Sequence, residues 1–270
     1  MSTLEPESTS LSSRERRQRI LDLASTSGLA SVEELSLRFG VTASTIRRDL
    51  AKLTEEGLVT RTYGGAVPTT AHPEETLRQR TGEAYAAKRG IARWAAAQVL
   101  AGETVLLDAG TTVGALAHEL RTHTSLTAVT VGLTALEALA EADDVEVISL
   151  GGELRHVSQG FIGPFTEANL ERVTADRVFL GADGVTAEDG ICEADHRQTR
   201  LKELMARRAG RVYVLAHAGK LGHRPFHAWA RLQPGWTLVT DDSADARSLA
   251  PFHVEGLEVV VVDAEGRAVV

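Results

Sequence analysis

Val41-Thr42-Ala43-Ser44-Thr45-Ile46-Arg47-Arg48-Asp49-Leu50 decides the reading of the first quarter of this chain. Ile46, Leu50 and Leu53 recur at helical spacing and predict one buried stripe. Ser44, Thr45, Arg48 and Lys52 point away from that stripe, with Arg47 at its border. Short hydroxyls followed by guanidinium groups are the side chains that enter a major groove. Hydroxyls and lysine grip phosphates, and arginine can also bridge O6 and N7 of a guanine. An ordinary amphipathic surface helix carries two arginines equally well, so the neighbouring sequence has to decide.

Upstream, Ser13 is suited to cap a helix running to about Ser27, with Ile20, Leu21 and Ala24 inward and Gly28 at its end. Ser31-Val32-Glu33-Glu34 reads as a capping box that opens a second helix through Arg38. Val32, Leu35 and Phe39 form its inner face. Gly40 supplies the sharp turn, and Thr42 caps the third helix. Downstream, Gly57 closes that helix, Leu58 to Tyr63 alternates as a strand, and Gly64-Gly65 turns the chain into Ala66-Val67. Three helices and a hairpin predict a winged helix-turn-helix over residues 13–68. Its DNA-binding side chains are expected to be Thr42, Ser44, Thr45, Arg47, Arg48, Lys52 and, in the wing, Arg61.

The chain has 270 residues and a net charge of −8, which by itself argues against a nucleic-acid binder. The distribution reverses that argument. Residues 1–68 hold nine basic and nine acidic side chains, and the rest hold 20 basic and 28 acidic ones. Arg14, Arg16, Arg17 and Arg19 cluster early and suggest phosphate neutralisation, while the acidic remainder is expected to stay off DNA. Residues 1–12 are polar and acidic, lack the layout of a secretion signal, and are expected to be a disordered tail. The single Cys192 excludes a disulfide within one chain and fits a reducing cytoplasm. No apolar run approaches the roughly 20 residues needed to span a bilayer.

Residues 69–82 read as a linker, because Pro68, Thr69, Thr70, His72 and Pro73 suit neither helix nor core. Strand and helix patterns then alternate to the end. Apolar runs occur at Glu103–Leu107, Leu126–Val131, Val145–Leu150, Arg177–Leu180, Arg211–Leu215, Thr237–Thr240 and Leu257–Val262. Helical patterns occur at Tyr85–Leu100, Thr112–Leu120, Leu133–Glu141, Phe165–Val173 and Arg197–Arg208. Strands such as Val259-Val260-Val261-Val262 are apolar throughout, as expected when helices cover both faces of a sheet. Residues 83–270 are therefore expected to form an α/β domain with a mainly parallel sheet.

Ligands of open α/β sheets bind beyond the carboxyl ends of the strands. Asp108-Ala109-Gly110-Thr111-Thr112 follows the first strand and opens a helix; its free amides and the two threonine hydroxyls suit a phosphate. Asp108 would then hydrogen-bond a sugar hydroxyl or brace the loop. Gly151-Gly152, Ser158 to Gly160, and Gly181 to Gly184 end other strands. His217, His223 and His227 have irregular spacing and no cysteine beside them, so no metal site is expected. Glu188-Asp189, Glu193 and Asp195 read as an acidic solvated loop. Cys192 reads as an ordinary thiol. No nucleophile elbow or phosphate-binding Walker loop occurs, and no catalytic residue or cofactor is expected.

The chain resembles the DeoR family of bacterial transcriptional regulators. Arg17, Ile20-Leu21, Val32-Glu33-Glu34-Leu35, Thr45-Ile46-Arg47-Arg48-Asp49-Leu50, Glu56-Gly57-Leu58-Val59 and Tyr63-Gly64-Gly65-Ala66 carry the likeness. It continues through Lys88, Asp108 to Thr112, Thr130, Gly151-Gly152, Ser158, Gly160, Gly181, Gly184, Lys202 and Lys220. The family's sensor domain is similar in fold to ribose-5-phosphate isomerase and the CoA-transferase group. The resemblance implies a repressor of a carbohydrate operon, released from a DNA operator by a phosphorylated sugar or related metabolite; because one helix-turn-helix covers only a half-site, a homodimer or larger even-numbered assembly is expected. It implies effector contacts from Lys88, Asp108, Gly110, Thr111, Thr112, Thr130, Gly151, Gly152, Ser158, Lys202 and Lys220. Three positions depart from the pattern. Val131 replaces an Asn, Gln198 a Glu, and His217 an Asp. The alternatives are a sugar-phosphate isomerase-like enzyme fused to a DNA-binding module, or a constitutive DNA binder with a degenerate sensor.

Overall fold

The computed structural model describes residues 12–27, 30–55, 59–62, 65–68 and 74–269. Apart from Ser12, the expected tail lies outside these residues, as do Gly28, Gly57, the Tyr63-Gly64 turn and residues 69–73. The chain divides into two compact units, Met1–Pro73 and Glu74–Val270.

In the first unit the helices α1 (Ser13–Ser27), α2 (Val32–Phe39) and α3 (Ala43–Glu55) accompany strands β1 (Ala30–Ser31), β2 (Val59–Thr62) and β3 (Gly65–Pro68). Ile20, Leu35, Ile46, Leu50 and Leu53 are buried together, one contact row from each helix. The expected wing is present as the antiparallel β2–β3 pair, joined by β1 on the other side of β3. That third strand was not expected. The expected cap also moves by one residue: the Glu15 amide donates to Ser12 Oγ at 3.3 Å, the Glu15 carboxylate accepts from the Ser12 amide at 3.0 Å, and Ser13 is already helical. Thr42 caps α3 as expected, accepting from the Thr45 amide at 3.3 Å.

The second unit opens with α4 (Leu77–Gly82) and α5 (Tyr85–Ala97). It continues with β4 (Thr104–Leu107), α6 (Thr111–Leu120), β5 (Leu126–Thr130), α7 (Leu133–Leu139) and β6 (Val145–Ser149). A hairpin of β7 (Glu153–Arg155) and β8 (Gly160–Ile162) leads to α8 (Pro164–Leu170), β9 (Ala175–Leu180), β10 (Gly184–Thr186), β11 (Gly190–Glu193) and α9 (His196–Arg207). The chain ends with β12 (Ala209–Leu215), a 3-10 turn at Ala218–Lys220, β13 (Ala228–Ala230), β14 (Thr237–Asp241), α10 (Ala246–Val254) and β15 (Glu258–Val262).

Seven parallel strands form the central sheet in the order β15-β14-β12-β9-β4-β5-β6. Two cores cover its faces. Val105 and Leu107 pack with Ile91 of α5, Leu116 of α6 and Ala135 of α7, while Leu106 packs on the other face with Leu170 of α8, Met205 of α9 and Phe252 of α10. Successive residues of one strand thus enter different cores, which is why runs such as Val105 to Leu107 and Val259 to Val262 are apolar throughout. From β4 the chain winds outward one way through β5 and β6, and from β9 the other way through β12, β14 and β15. The winding direction therefore reverses between β4 and β9.

The linker expected over 69–82 is corrected by the structure. Glu74 to Gly82 belongs to the second unit. Thr76 and Gln79 form a reciprocal capping box that starts α4, Leu77 is buried, and its amide donates to Val157 O at 2.9 Å. The capping box satisfies the first amides, and one buried leucine anchors a helix too short to show periodicity.

Candidate functional site

On the first unit Thr42, Ser44, Arg47, Arg48 and Lys52 are exposed and Thr45 is half-buried. The three hydroxyls form one chain, with Thr42 Oγ1 at 2.9 Å from Ser44 Oγ and 3.0 Å from Thr45 Oγ1. Asp49, on the inner side of α3, is buried and accepts from Arg16 Nε at 2.6 Å, with Arg17 Nη1 at 3.6 Å. Arg16 therefore anchors α1 to α3 and is withdrawn from the basic cluster expected to meet phosphates. Arg61 pairs in register with Ala66 across the wing. Exposed cations on a helix held by a matched ion pair form a surface complementary to a polyanionic duplex.

On the second unit a cleft opens beyond the carboxyl ends of β4 and β9, where the winding direction reverses and ligands of such sheets bind. It encloses about 380 Å³ including its open mouth. Gly110, Thr111 and Thr112 line it at the start of α6. Gly110 has φ +131°, a conformation that side chains disfavour, and its carbonyl accepts from the Gly114 amide at 2.8 Å as α6 begins. Ser158 enters from the β7–β8 hairpin, Asp183 from the loop after β9, and Gln198 and Lys202 from α9. Lys220 enters from the 3-10 turn and Arg80 from α4.

The base of the cleft is electrostatically complete. Lys202 Nζ lies 2.7 Å from Asp108 Oδ2, from Gly181 O and from Glu193 Oε1, which occupies all three ammonium protons. Asp108 also accepts from the Gly181 amide at 2.9 Å. Burial opposes the charge on Lys202, but Asp108 and Glu193 outweigh it and raise the ammonium above its usual range, while burial pushes the Glu193 carboxyl up. Asp108 therefore braces the strand end, one of its two expected roles, and Lys202 has no proton left for a phosphate. Glu193 and Asp195 do not belong to a solvated loop: Glu193 is buried on Lys202, and Asp195 caps α9 and accepts from Arg155 Nε at 3.2 Å.

The walls are incomplete. Arg80 Nη1 donates to Asp183 Oδ1 at 2.7 Å, yet Arg80 Nε and Nη2, Asp183 Oδ2, Ser158 Oγ and Gln198 Oε1 are buried without a hydrogen-bond partner. Five unused polar atoms around one cleft form a constellation for a polar ligand, since an unpaired buried polar atom costs about 1–3 kcal/mol. Lys220 donates to Ala182 O, and Lys88 Nζ donates to Arg80 O at 2.6 Å. Burial, with the neighbouring Lys220 charge, pushes Lys88 down to about 8. His217 is buried with Nε2 unpartnered, and burial with the Lys220 charge pushes it down to about 4, so it is neutral at pH 7.

Of the expected effector residues, Gly110, Thr111, Thr112, Ser158, Lys202 and Lys220 meet at the cleft. Thr130 does not: its hydroxyl donates to Leu107 O and accepts from the Gly132 amide, bracing the end of β5. Gly151 and Gly152 lie against α8, where Thr166 Oγ1 donates to Gly151 O at 2.6 Å and leaves no room for a side chain at Gly152. Lys88 stands behind Arg80. Of the departures, Gln198 lines the cleft and Val131 points into the core. Arg80 and Asp183 were missed as site residues; Gly181-Ala182-Asp183-Gly184 at a strand end was the available signal for Asp183. Cys192 is buried and donates to Phe226 O at 3.3 Å, and burial pushes its thiol up to about 12. Among the described residues no group of three His, Cys, Asp or Glu side chains could hold a metal ion, and no helix is long and apolar enough to cross a membrane.

Comparison with known proteins matches both units. Residues 16–71 match the DeoR-like helix-turn-helix domain, and residues 83–242 match the DeoR C-terminal sensor domain. The HTH-type transcriptional regulator GlpR of Haloferax volcanii is 37% identical over 94% of this chain and 98% of its own. A putative aga operon transcriptional repressor of Escherichia coli is 34% identical over 92% of this chain and 93% of its own. The glycerol-3-phosphate regulon repressor of Escherichia coli is 33% identical over 77% and 82%. Among solved structures, ribose-5-phosphate isomerase A from Neisseria gonorrhoeae aligns at a TM-score of 0.37 and 19% identity, covering 49% of this chain and 52% of that one, too low to bear on chemistry. The chain belongs to the DeoR family of DNA-binding transcriptional regulators.

Proposed function

We propose that this regulator represses a carbohydrate-use operon and leaves its operator when a phosphorylated sugar fills the cleft of the second unit. The observation that carries the reading is the buried, unpartnered Ser158 hydroxyl beside the free start of α6, with Lys220 lining the same cleft. Helix-start amides, hydroxyls and a half-buried ammonium favour a phosphate, and unpaired acceptors favour the hydroxyls of a sugar. Gln198 and neutral His217 stand where the family pattern has carboxylates, which leaves the cleft less acidic and suits an anion. The relatives named for the aga operon and the glycerol-3-phosphate regulon support a carbohydrate target.

Operator contacts come from Thr42, Ser44, Thr45, Arg47, Arg48, Lys52 and Arg61, with Arg47 or Arg48 reading base edges. A single helix-turn-helix covers a half-site, so the operator-bound form is a dimer or a larger even-numbered assembly. Fluorescence anisotropy on operator DNA is the test. Glycerol-3-phosphate or hexose phosphates should weaken binding while the unphosphorylated parents do not. Equal effects of phosphorylated and free sugars, or turnover of the phosphates, would overturn the reading. Sedimentation of the protein on its operator checks the assembly, and a monomer there removes it.

A further inference from the structure

We propose, resting on the sensing reading above, that Arg80 is the residue with which the cleft grips an anionic ligand, and that its exchange of Asp183 for that ligand registers binding in the segment leading from the DNA-reading unit. The Arg80–Asp183 pair is half-made. One contact joins Nη1 to Oδ1 at 2.7 Å, while Nε, Nη2 and Oδ2 are buried and unused. A guanidinium presents parallel donors to two oxygens of one phosphate or carboxylate. Here one such pair of donors, Nε with Nη2, is idle in the cleft that Thr111 and Ser158 also line. The remaining Asp183 oxygen is an acceptor for a ligand hydroxyl. Lys202, with all three protons occupied, offers nothing comparable.

The position of Arg80 in the chain makes the contact a report. It lies on α4, seven residues after the unit boundary at Pro73. The anchors of this segment end on elements that frame the cleft. The Leu77 amide donates to Val157 O, next to Ser158. Glu74 is gripped by Arg155, which also binds Asp195, the cap of the helix that carries Gln198 and Lys202. An anion that fills the cleft and takes two donors of Arg80 changes the balance of forces on α4. A ligand alters operator affinity only through such differential contacts between two states.

The test uses the full-length protein with inorganic phosphate and glycerol-3-phosphate as probes. Calorimetry should show Arg80→Lys, which keeps the charge and loses the fork, binding both probes at least about tenfold more weakly. Asp183→Asn should bind inorganic phosphate several-fold more tightly, because a competing anion is gone. Hydrogen exchange on the wild type, which needs no variant to fold, should show the amides of residues 77–82 exchanging differently with saturating phosphate, and that response should vanish in Arg80→Lys. Wild-type affinity in Arg80→Lys, or a segment 77–82 indifferent to saturating phosphate, would overturn the proposal while leaving the sensing reading intact. Wild-type protein that binds neither probe at millimolar concentration would take down the sensing reading and this inference with it.

Discussion

The two units place their charges differently. In the first, Ser44, Arg47, Arg48 and Lys52 of α3 stand exposed outside a scaffold whose buried charge, among the described residues, is Asp49 matched by Arg16. In the second, Asp108, Glu193, Lys202 and Lys88 are buried, and Arg80 and Asp183 are nearly so. A duplex is a rigid polyanion read from outside, so its partner needs exposed cations and tolerates their hydration. A small anion has to be taken from water, so its site holds polar atoms already stripped of water and waiting for partners.

The sharpest way to break this contrast is Lys202→Met. It leaves Asp108 and Glu193 buried without their cation and should cost about 3–5 kcal/mol, read as a lower denaturation midpoint of the second unit. A loss below 1 kcal/mol would mean that the base of the cleft is wetter than its geometry shows. For the first unit, Arg47→Ala combined with Arg48→Ala should reduce operator discrimination by roughly 1–3 kcal/mol for each lost base contact. Lys52→Ala should instead weaken binding to every sequence and lower its salt dependence. Unchanged anisotropy titrations in the arginine double variant would remove α3 from the major groove.

Smaller effects sharpen the contrast within the cleft. Thr111→Ala should reduce effector affinity by about 0.5–1.5 kcal/mol, measured by calorimetry, with operator affinity in the absence of effector as the control. The weakest expected effect is on pH dependence. Lys88 is half-protonated at about 8, and a nearby anion favours its charged form. Binding should therefore take up protons near pH 8, and affinity should fall as pH rises past that value. Calorimetry in buffers of different ionisation heat reads the proton uptake, which should disappear in Lys88→Met.

Most of the scaffold was legible along the chain because its signals are periodic. The Ile46, Leu50 and Leu53 stripe marked α3, and runs rich in apolar and β-branched residues marked all seven parallel strands. Elements that rely on partners far away in sequence were not visible. β13 satisfies β11 across nearly forty residues, and α4 is held by one buried leucine and an arginine. α10 carries Pro251 in its interior, which reads as a breaker. Asp108 shows the same limit for function: its residue type and strand-end place left two roles open, and the approach of Lys202 to 2.7 Å selects the brace.

The sequence alone determined that a winged helix-turn-helix precedes an α/β unit, which side chains of α3 face outward, and that a Gly-Thr-Thr helix start follows the first strand. These are properties of local spacing, which 3.6-residue and two-residue periods carry in the chain itself. Only the tertiary structure decided that Lys202 is saturated, that Thr130, Gly151 and Gly152 stand apart from the cleft, and that Arg80 reaches it from a supposed linker. Those outcomes depend on which buried polar atoms find partners across 94 or 103 residues of chain. Desolvation and hydrogen-bond geometry settle that pairing only after the sheet has brought the strand ends together.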